Sequence, residues 1–373
     1  MNSLALRNVT FRVDASIQIG TGHVMRCMTL ANPLTSQGAR CRFICREHPG
    51  HLINLIQQSG YEVTALPGAE SSTSTRGSTG HKAEFDYMTW LGADWRADAE
   101  QTRAALQGRP TDWLVVDHYA IDARWEAALK PQYSRLMVID DLADREHVCD
   151  VLLDQNLVEG MEKRYQGKVP ERCACLIGPR YALVRPEFAA LRPVSLTRRN
   201  IPVLERLLIF MGGGDPGNET CQVVAGVKLA KKTWRHIDVV VGEGFPAFSA
   251  LNDSLATLPS ATLHVQTPDM AKLMAAADLS VTAGGSVTWE KCTLGLPSLV
   301  AILAENQRST ARMMHEQGAQ RTLGAGSELM PAVYAKYLDE VQDIELSAMT
   351  DRASAICDGT GAESVVKTLE SRS

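Results

Sequence analysis

Short apolar runs alternate with amphipathic stretches along this chain of 373 residues. The runs are rich in Val, Ile and Leu, and the stretches between them, such as Ala93–Leu106, have the length and pattern of helices. The candidate strands form two series: first Thr10–Val13, Cys41–Cys45, Leu114–Asp117, Leu136–Ile139 and Val151–Asp154, then Leu207–Met211, Ile237–Val241, Thr262–Val265, Leu279–Thr282 and Ser298–Ala301. Alternation of strand and helix is typical of parallel sheets covered by helices. The pattern predicts an α/β protein with two Rossmann-like domains.

The chain is longer than one hydrophobic core usually organises, so we expect two domains. The predicted boundary between them lies near Pro193–Pro202. The segment ALRPVSLTRRNIPVLER has two prolines and four arginines but no sustained periodicity. We therefore predict an N-terminal domain at 1–195 and a C-terminal domain at 203–373, with an interdomain cleft. The segment Pro67–Gly80 is rich in Ser, Thr and Gly, which predicts a mobile surface loop.

Charge and cysteine content narrow the range of partners. The chain has 38 basic and 43 acidic residues, a net charge of -5, and no block of like charges, so nucleic acid is not an expected partner. Nine cysteines occur singly without C-x-x-C pairs, which favours buried thiols in a reducing cytoplasm over disulfides or zinc. Neither an export signal nor an apolar span is evident. We expect a cytoplasmic protein without a membrane partner.

A glycine loop carrying His23 separates the first candidate strand from the helix that follows it. Backbone N–H groups at a helix N-terminus favour phosphate, and the imidazole of His23 is a candidate acid or base. A dinucleotide fingerprint fits poorly, because Met25 occupies a position that needs a small residue and the next strand ends in CREH. The glycines alternatively serve a tight turn. Arg26 is either an additional cation for the site or a solvated helix residue.

Two further glycine clusters follow strands in the C-terminal half. Gly212–Gly214 follows LLIFM and either lets the backbone approach a ligand or makes a tight turn, where Asp215 or Asn218 can cap the next helix. Gly284–Ser286 can present successive N–H donors to a diphosphate. Glu290, one turn later, either complements the helix dipole or accepts hydrogen bonds from both hydroxyls of a ribose.

Three weaker candidates lie at predicted strand ends in the N-terminal half. His48 and His51 flank Pro-Gly and lack an obvious third metal ligand. Asp140 and Asp141 are candidate active-site carboxylates or ordinary turn residues. The segment Asp117–Tyr119 ends a strand at the edge where open α/β sheets bind ligands, so its tyrosine can face a cleft.

Seven motifs in order give the chain a family resemblance. From Phe11 to Gly318 it contains RVDASIQIGTGHVMRCMTLA, VVDHYAID, VIDD, DVLLDQN, MGGGDPGN, VTAGGSVTWEKCTLGLPSLV and ENQ. This series resembles the UDP-2,4-diacetamido-2,4,6-trideoxy-β-L-altropyranose hydrolases of pseudaminic acid biosynthesis. The resemblance implies a GT-B architecture with the nucleotide held mainly by the C-terminal domain. It also implies hydrolysis of the sugar C1–O bond with inversion, without an obligatory metal and without a cofactor.

The resemblance also assigns roles to residues that match the family motifs. His23 matches the essential histidine, Tyr119 a tyrosine near the sugar, Asn306 a polar residue of the sugar and diphosphate site, and Glu290 a ribose-binding glutamate. The substrates are a UDP-sugar and water. The predicted substrate-binding residues are Asp14, Gly20, Gly22, Tyr119, Gly213, Gly284, Gly285, Ser286, Glu290, Asn306 and Gln307, and no metal ligand is predicted.

This chemistry needs few groups, because UDP is a good leaving group once its charge is neutralised. A neutral histidine such as His23 can take the proton of an attacking water. Two other classes of function stay open. An inverting GT-B glycosyltransferase would use the same nucleotide site but pass the sugar to an acceptor, and a non-catalytic module would bind the sugar nucleotide without turnover.

Overall fold

The chain divides into two units, each built on one parallel sheet. The computed structural model describes residues 8–68 and 87–372, so most of the predicted Pro67–Gly80 loop lies outside the described residues. The first unit comprises Met1–Gln155, Gly160–Ile177 and Ala362–Ser373, and the second comprises Asn156–Glu159 and Gly178–Gly361. The predicted fold class of two Rossmann-like α/β domains is confirmed.

The first unit has a sheet of seven parallel strands within the described residues, in the order β3-β2-β1-β4-β5-β6-β7. The strands are β1 (Asn8–Val13), β2 (Arg40–Arg46), β3 (Glu62–Leu66), β4 (Trp113–Asp117), β5 (Arg135–Ile139), β6 (Val151–Asp154) and β7 (Ala174–Ile177), and the helices are α1 (Gly22–Ser36), α2 (Ile53–Gln58), α3 (Trp95–Leu106) and α4 (Ala123–Ala128). All five predicted strands are present. The apolar pattern does not reveal β3 and β7, because these edge strands are short and partly exposed.

The second unit has a sheet of six parallel strands in its described part, in the order β10-β9-β8-β11-β12-β13. The strands are β8 (Arg206–Phe210), β9 (His236–Val241), β10 (Ala261–Val265), β11 (Leu279–Ala283), β12 (Ser298–Ile302) and β13 (Arg321–Ala325). The helices of this unit are α5 (Pro186–Arg199), α6 (Glu219–Leu229), α7 (Phe248–Leu255), α8 (Met270–Ala276), α9 (Val287–Leu294), α10 (Arg308–Glu316), α11 (Pro331–Glu340) and α12 (Asp343–Ile356). The last helix of the chain, α13 (Gly361–Ser371), lies almost wholly in the first unit. The five predicted strands are confirmed. Edge strand β13, RTLGA, lacks a continuous apolar run.

Burial of the central strands explains why the sequence pattern identifies them. Every residue of β4, β11 and β12 is buried, as expected for strands covered by helices on both faces. Leu114 and Val116 of β4 join the core of the first unit, and Val281 of β11 joins that of the second. Burial of each such side chain contributes roughly 1.5–3 kcal/mol to folding.

The strand order places a topological switch point in each sheet. In the first unit β1 lies between β2 and β4, and in the second β8 lies between β9 and β11, so the chain runs outward in both directions from these strands. Loops after the two central strands diverge at a switch point and leave a crevice at the carboxyl edge. The His23 loop follows β1, and the Gly284–Ser286 loop follows β11.

The boundary between the two units lies at residues that differ from the predicted boundary near Pro193–Pro202. Pro193 lies inside α5, and this helix packs on α8, α9 and α12 of the second unit. Arg199 donates to the carbonyl oxygens of Met274, Ala277 and Leu294 at 2.8–3.0 Å. Cations are favourable at helix C-termini, which explains why the charged side chain of Arg199 is buried here. The second unit therefore begins its main segment at Gly178, and Ala362–Ser373 groups with the first.

The cysteines differ in exposure, contrary to the expectation that they are all buried. Cys27, Cys45, Cys149, Cys292 and Cys357 are buried, whereas Cys41, Cys173 and Cys221 are partly exposed and Cys175 is exposed. Cys175 lies on β7, which is an edge strand of the sheet formed by the described residues. Within the described ranges, every helix is too short or too polar to cross a membrane.

Candidate active site

His23 lies in the first turn of α1, directly after the glycine loop. Gly20 has a φ of +78°, a left-handed conformation that favours glycine, and its N–H donates to the carbonyl oxygen of Ser16 at 2.8 Å. Gly22 is the first residue of α1. The loop therefore closes on itself and carries His23 to the carboxyl edge of the first sheet, with 8% of the residue exposed.

Asp117 is the partner of His23. It ends β4, the strand beside β1 at the switch point, and its Oδ1 lies 2.6 Å from His23 Nδ1. Burial disfavours a charged carboxylate, but the Arg26 guanidinium and His23 outweigh burial and hold the pKa of Asp117 well below its usual value. An ionised Asp117 accepts a hydrogen bond from the Nδ1–H group of His23. Nε2 then carries the lone pair that a general base needs.

Arg26 fixes this pair from the next turn of α1. Its Nε and one terminal nitrogen contact the two oxygens of Asp117 at 2.6 and 2.7 Å, and its other terminal nitrogen lies 2.7 Å from Asp141 Oδ2. Such bidentate contacts are stronger and more directional than single ones. Arg26 is buried, so it is part of the candidate site and not a solvated helix residue.

Tyr119 also contacts His23. Its hydroxyl donates to Asp141 Oδ2 at 2.6 Å, and its ring meets the imidazole edge to face with centroids 4.6 Å apart. Burial, with Asp141 nearby, raises the pKa of Tyr119 well above its usual value, so the hydroxyl remains protonated. Asp141 thus joins Tyr119 to Arg26, as its position at a strand end allowed. Asp140 instead accepts hydrogen bonds from Ala143 N and Tyr165 and pairs with Arg145.

Asp14 lies in a buried network, which argues against the predicted contact with substrate. It has no exposed surface, its Oδ1 accepts the N–H of Arg46 at 2.6 Å, and Arg12 pairs with it at 2.7 Å. His118 Nε2 and His48 Nε2 lie 3.4 and 3.8 Å from Asp14 Oδ2. This network holds the ends of β1, β2 and β4 together.

His48 and His51 are candidate metal ligands in the sequence, but their contacts in the structure are of other kinds. The Nδ1 of His51 accepts the backbone N–H of Ile53 at 3.3 Å, while His48 faces Asp14. Among the described residues, no group of three or more His, Cys, Asp or Glu side chains is placed to hold a metal ion.

In the second unit, the predicted loop Gly284–Ser286 meets the ENQ motif, Glu305–Gln307, at the end of β11. A Cβ atom on Gly284 would lie 3.0 Å from Gln307 Oε1, so glycine permits this close approach. Gln307 is held by the N–H of Leu303 at 3.0 Å, in the short turn Glu305–Gln307 that also contains the exposed Asn306. Gly285 has a φ of +108°, and Ser286 is the N-cap of α9. The loop Gly284–Ser286, predicted to bind a diphosphate, thus lies at the start of α9 beside Gln307, a predicted substrate-binding residue.

Glu290, in the first turn of α9, contacts an arginine that sequence reasoning misses. Its side chain is 19% exposed, and Arg185 Nε donates to its Oε1 at 3.1 Å. Burial raises the pKa of Glu290 although the arginine acts in the opposite direction. Arg185 is held in turn by Glu187 at 3.1 Å and by the ring of Phe188. Glu290 and Arg185 are 105 residues apart in sequence, so no local signal links them.

The glycine cluster that contains Gly213 gives a different result. Asp215 accepts the N–H groups of Glu219 and Thr220 at 2.9 and 2.8 Å, and so caps α6 with its own carboxylate. Asn218 takes the left-handed conformation at the N-cap position. This arrangement favours the tight-turn interpretation of the cluster, and substrate binding by Gly213 stays a prediction.

The class of fold follows from comparison with solved structures. MurG of Acinetobacter baumannii matches 98% of this chain and 99% of its own length with a TM-score of 0.66 at 15% identity. CalG4, the calicheamicin glycosyltransferase, matches 99% of both chains with a TM-score of 0.59 at 18% identity. Identities this low show the fold alone. The chain has the GT-B fold, as the family resemblance implies.

Sequence comparison then gives the particular relatives. The chain is 24% identical over 310 residues to the UDP-2,4-diacetamido-2,4,6-trideoxy-beta-L-altropyranose hydrolase of Campylobacter jejuni, covering 83% of this chain and 97% of that protein. The predicted resemblance is confirmed. An uncharacterized protein of Methanocaldococcus jannaschii is 22% identical over 299 residues, and the spore coat polysaccharide biosynthesis protein SpsG of Bacillus subtilis is 32% identical over 155 residues. The matches cover 79% and 41% of this chain and about half of those two relatives, 55% and 44%. No family model matches the chain.

Proposed function

We propose that this protein is a cytoplasmic, metal-independent enzyme that hydrolyses UDP-2,4-diacetamido-2,4,6-trideoxy-β-L-altrose at the sugar C1–O bond, with inversion. The observation that carries the proposal is the 2.6 Å contact between His23 and an ionised Asp117, held by Arg26. This contact supplies an oriented base. The similarity to the relative from Campylobacter jejuni supports a UDP-sugar as the substrate. Water is the second substrate.

In the proposed reaction, water attacks C1 from the face opposite UDP. The proton of the water passes to His23 Nε2, and Asp117 stabilises the imidazolium that forms. The C1–O bond breaks, and its electron pair stays on the β-phosphate oxygen of UDP. Gly284, Gly285 and Ser286 are the proposed diphosphate contacts, because N–H groups at the start of α9 favour negative charge. Asn306 is proposed to contact the sugar and diphosphate, and Gln307 is a further proposed substrate contact.

The reaction is tested with the sugar nucleotide in oxygen-18 water, without acceptor or added metal, followed by mass analysis of both products. Label in the free sugar, with the inverted anomer formed first, is the expected result. Label in UDP would place the attack at phosphorus and contradict the proposal. Loss of turnover on adding a chelator would contradict metal independence.

A glycosyltransferase is the second candidate, because the structures with a similar fold include glycosyltransferases. Such an enzyme would transfer the sugar to an acceptor and leave the sugar nucleotide largely intact in water alone. Turnover that starts only when an acceptor is supplied would favour this class. Binding of the sugar nucleotide without any turnover would favour a non-catalytic module.

Glu290 is the proposed ribose contact, and its raised pKa makes UDP binding sensitive to pH. Because the pKa is raised, the carboxylate takes up a proton at a higher pH than an ordinary glutamate does. A protonated carboxyl accepts ribose hydroxyls less well, so UDP affinity is expected to fall as the pH is lowered from neutral. Glu290→Gln should weaken UDP binding about 10-fold to 100-fold and make the pH dependence of binding smaller than in the wild type, as measured by calorimetric titration.

Glu187→Gln is the matched control, since Glu187 also contacts Arg185 but is 43% exposed. This variant should bind UDP like the wild type at every pH. Replacing UDP with 2′-deoxy-UDP adds a second criterion, because the wild type should discriminate between them and Glu290→Gln should not. Unchanged discrimination in Glu290→Gln would leave the carboxylate as a helix-dipole partner only.

A further inference from the structure

A group of aromatic rings lies beside His23 in the first unit. Tyr87 and Trp90 come from the short helical turn Tyr87–Leu91, and Tyr119 follows β4. Trp90 stacks on Tyr119 at 5.6 Å and 20°, and Tyr87 meets both rings edge to face at 4.9 and 5.1 Å. The centroid of Trp90 lies 6.4 Å from that of His23, with the two planes nearly perpendicular.

The rings differ in what they leave exposed. Tyr119 is 5% exposed, whereas Tyr87 and Trp90 are both partly exposed. Stacking on Tyr119 restricts the motion of Trp90, so this partly exposed ring is a rigid apolar group whose centroid lies 6.4 Å from that of the imidazole. Rigid aromatic surfaces bind apolar groups without loss of side-chain freedom.

The position of the base limits what this surface can contact. A general base must reach the water that attacks C1, directly or through one further water. The sugar ring that carries C1 must therefore lie close to His23, within reach of a ring whose centroid is 6.4 Å away. The sugar and its substituents are then the part of the ligand within reach of Trp90.

We propose that Trp90 is a specificity-determining residue that packs against the apolar substituents of the sugar, an inference that rests on the proposed function. A 6-deoxy, diacetamido sugar carries a methyl group at C6 and two acetyl methyl groups. Each gains from contact with an indole, while a hydroxyl group in the same place would lose water without gaining a hydrogen-bond partner. Trp90 thus favours deoxy sugars over hydroxylated ones.

The test compares UDP-2,4-diacetamido-2,4,6-trideoxy-β-L-altrose, its 6-hydroxy counterpart and UDP. Trp90→Ala is expected to raise KM for the 6-deoxy substrate about 10-fold to 100-fold, with little change in kcat and a much smaller change for the 6-hydroxy compound. UDP affinity should not change. Trp90→Phe, which keeps a ring, should recover part of the discrimination, and Trp95→Phe is the control for a tryptophan outside the ring group.

Binding is also measured by titration in a His23→Ala background, so that no turnover is needed. Selective loss of the 6-deoxy compound from Trp90→Ala would support the inference even if the oxygen-18 experiment failed. Equal loss of both sugar nucleotides, unchanged binding of both, or a fall in kcat alone would overturn it. In the last case Trp90 would be a support for His23 and not a sugar contact.

Discussion

His23→Ala is expected to lower kcat about 1,000-fold to 10,000-fold while leaving UDP affinity unchanged. The imidazole is proposed to act when water attacks, so its removal should affect the transition state and not ground-state binding. Proton transfer by a positioned base is worth up to about four orders of magnitude, and the ionised Asp117 at 2.6 Å keeps this one in its active tautomer. Initial rates of UDP release provide the measurement.

His236→Ala is the control for this prediction, because His236 lies at the start of β9 and is about one-third exposed. It should retain wild-type kcat. His23→Gln adds a variant with a polar side chain but no base, and its rate should be as low as that of alanine. A His23→Ala enzyme with more than a tenth of the wild-type rate would remove His23 from the role of base.

The apolar pattern predicts the central strands of both sheets and the edge strand β10, but not the other three edge strands of the described residues. Central strands such as β4 and β11 are apolar throughout because helices cover both faces, and this gives a signal that sequence alone can reveal. Edge strands β3, β7 and β13 need apolar residues on fewer positions, so they resemble loops in sequence. The arginine-rich helix α5 has a related explanation, since its charges bind helix ends that no local pattern indicates.

In the candidate site, too, single residues can be predicted from the sequence, but contacts between residues that are distant in sequence cannot. The glycine loops and His23 are predictable because turns and helix starts have local signatures. The partners of His23 and Glu290 are not, since Asp117 lies 94 residues away and Arg185 lies 105 residues away from them. Strand order brings the first pair together, and strand order is a property of the whole sheet.

Asp117→Asn is expected to lower kcat on the order of 100-fold to 1,000-fold with little change in KM. The amide of asparagine can donate to Nδ1, which stabilises the tautomer whose proton is on Nε2 and blocks acceptance of the proton from water. Removal of a buried charge that pairs with Arg26 also destabilises the fold, by about 3–5 kcal/mol. Rates are therefore measured well below the midpoint of thermal unfolding, with UDP affinity as the check that the protein is folded.

Asp122→Asn is the matched control, because Asp122 caps α4 through the N–H of Arg124 and asparagine caps equally well. The decisive comparison is the double variant. If Asp117 acts through the imidazole, Asp117→Asn should have almost no further effect on the rate once His23 is alanine. An additional loss of about 100-fold in that background would show that Asp117 acts independently of His23, and the two would no longer form one catalytic pair.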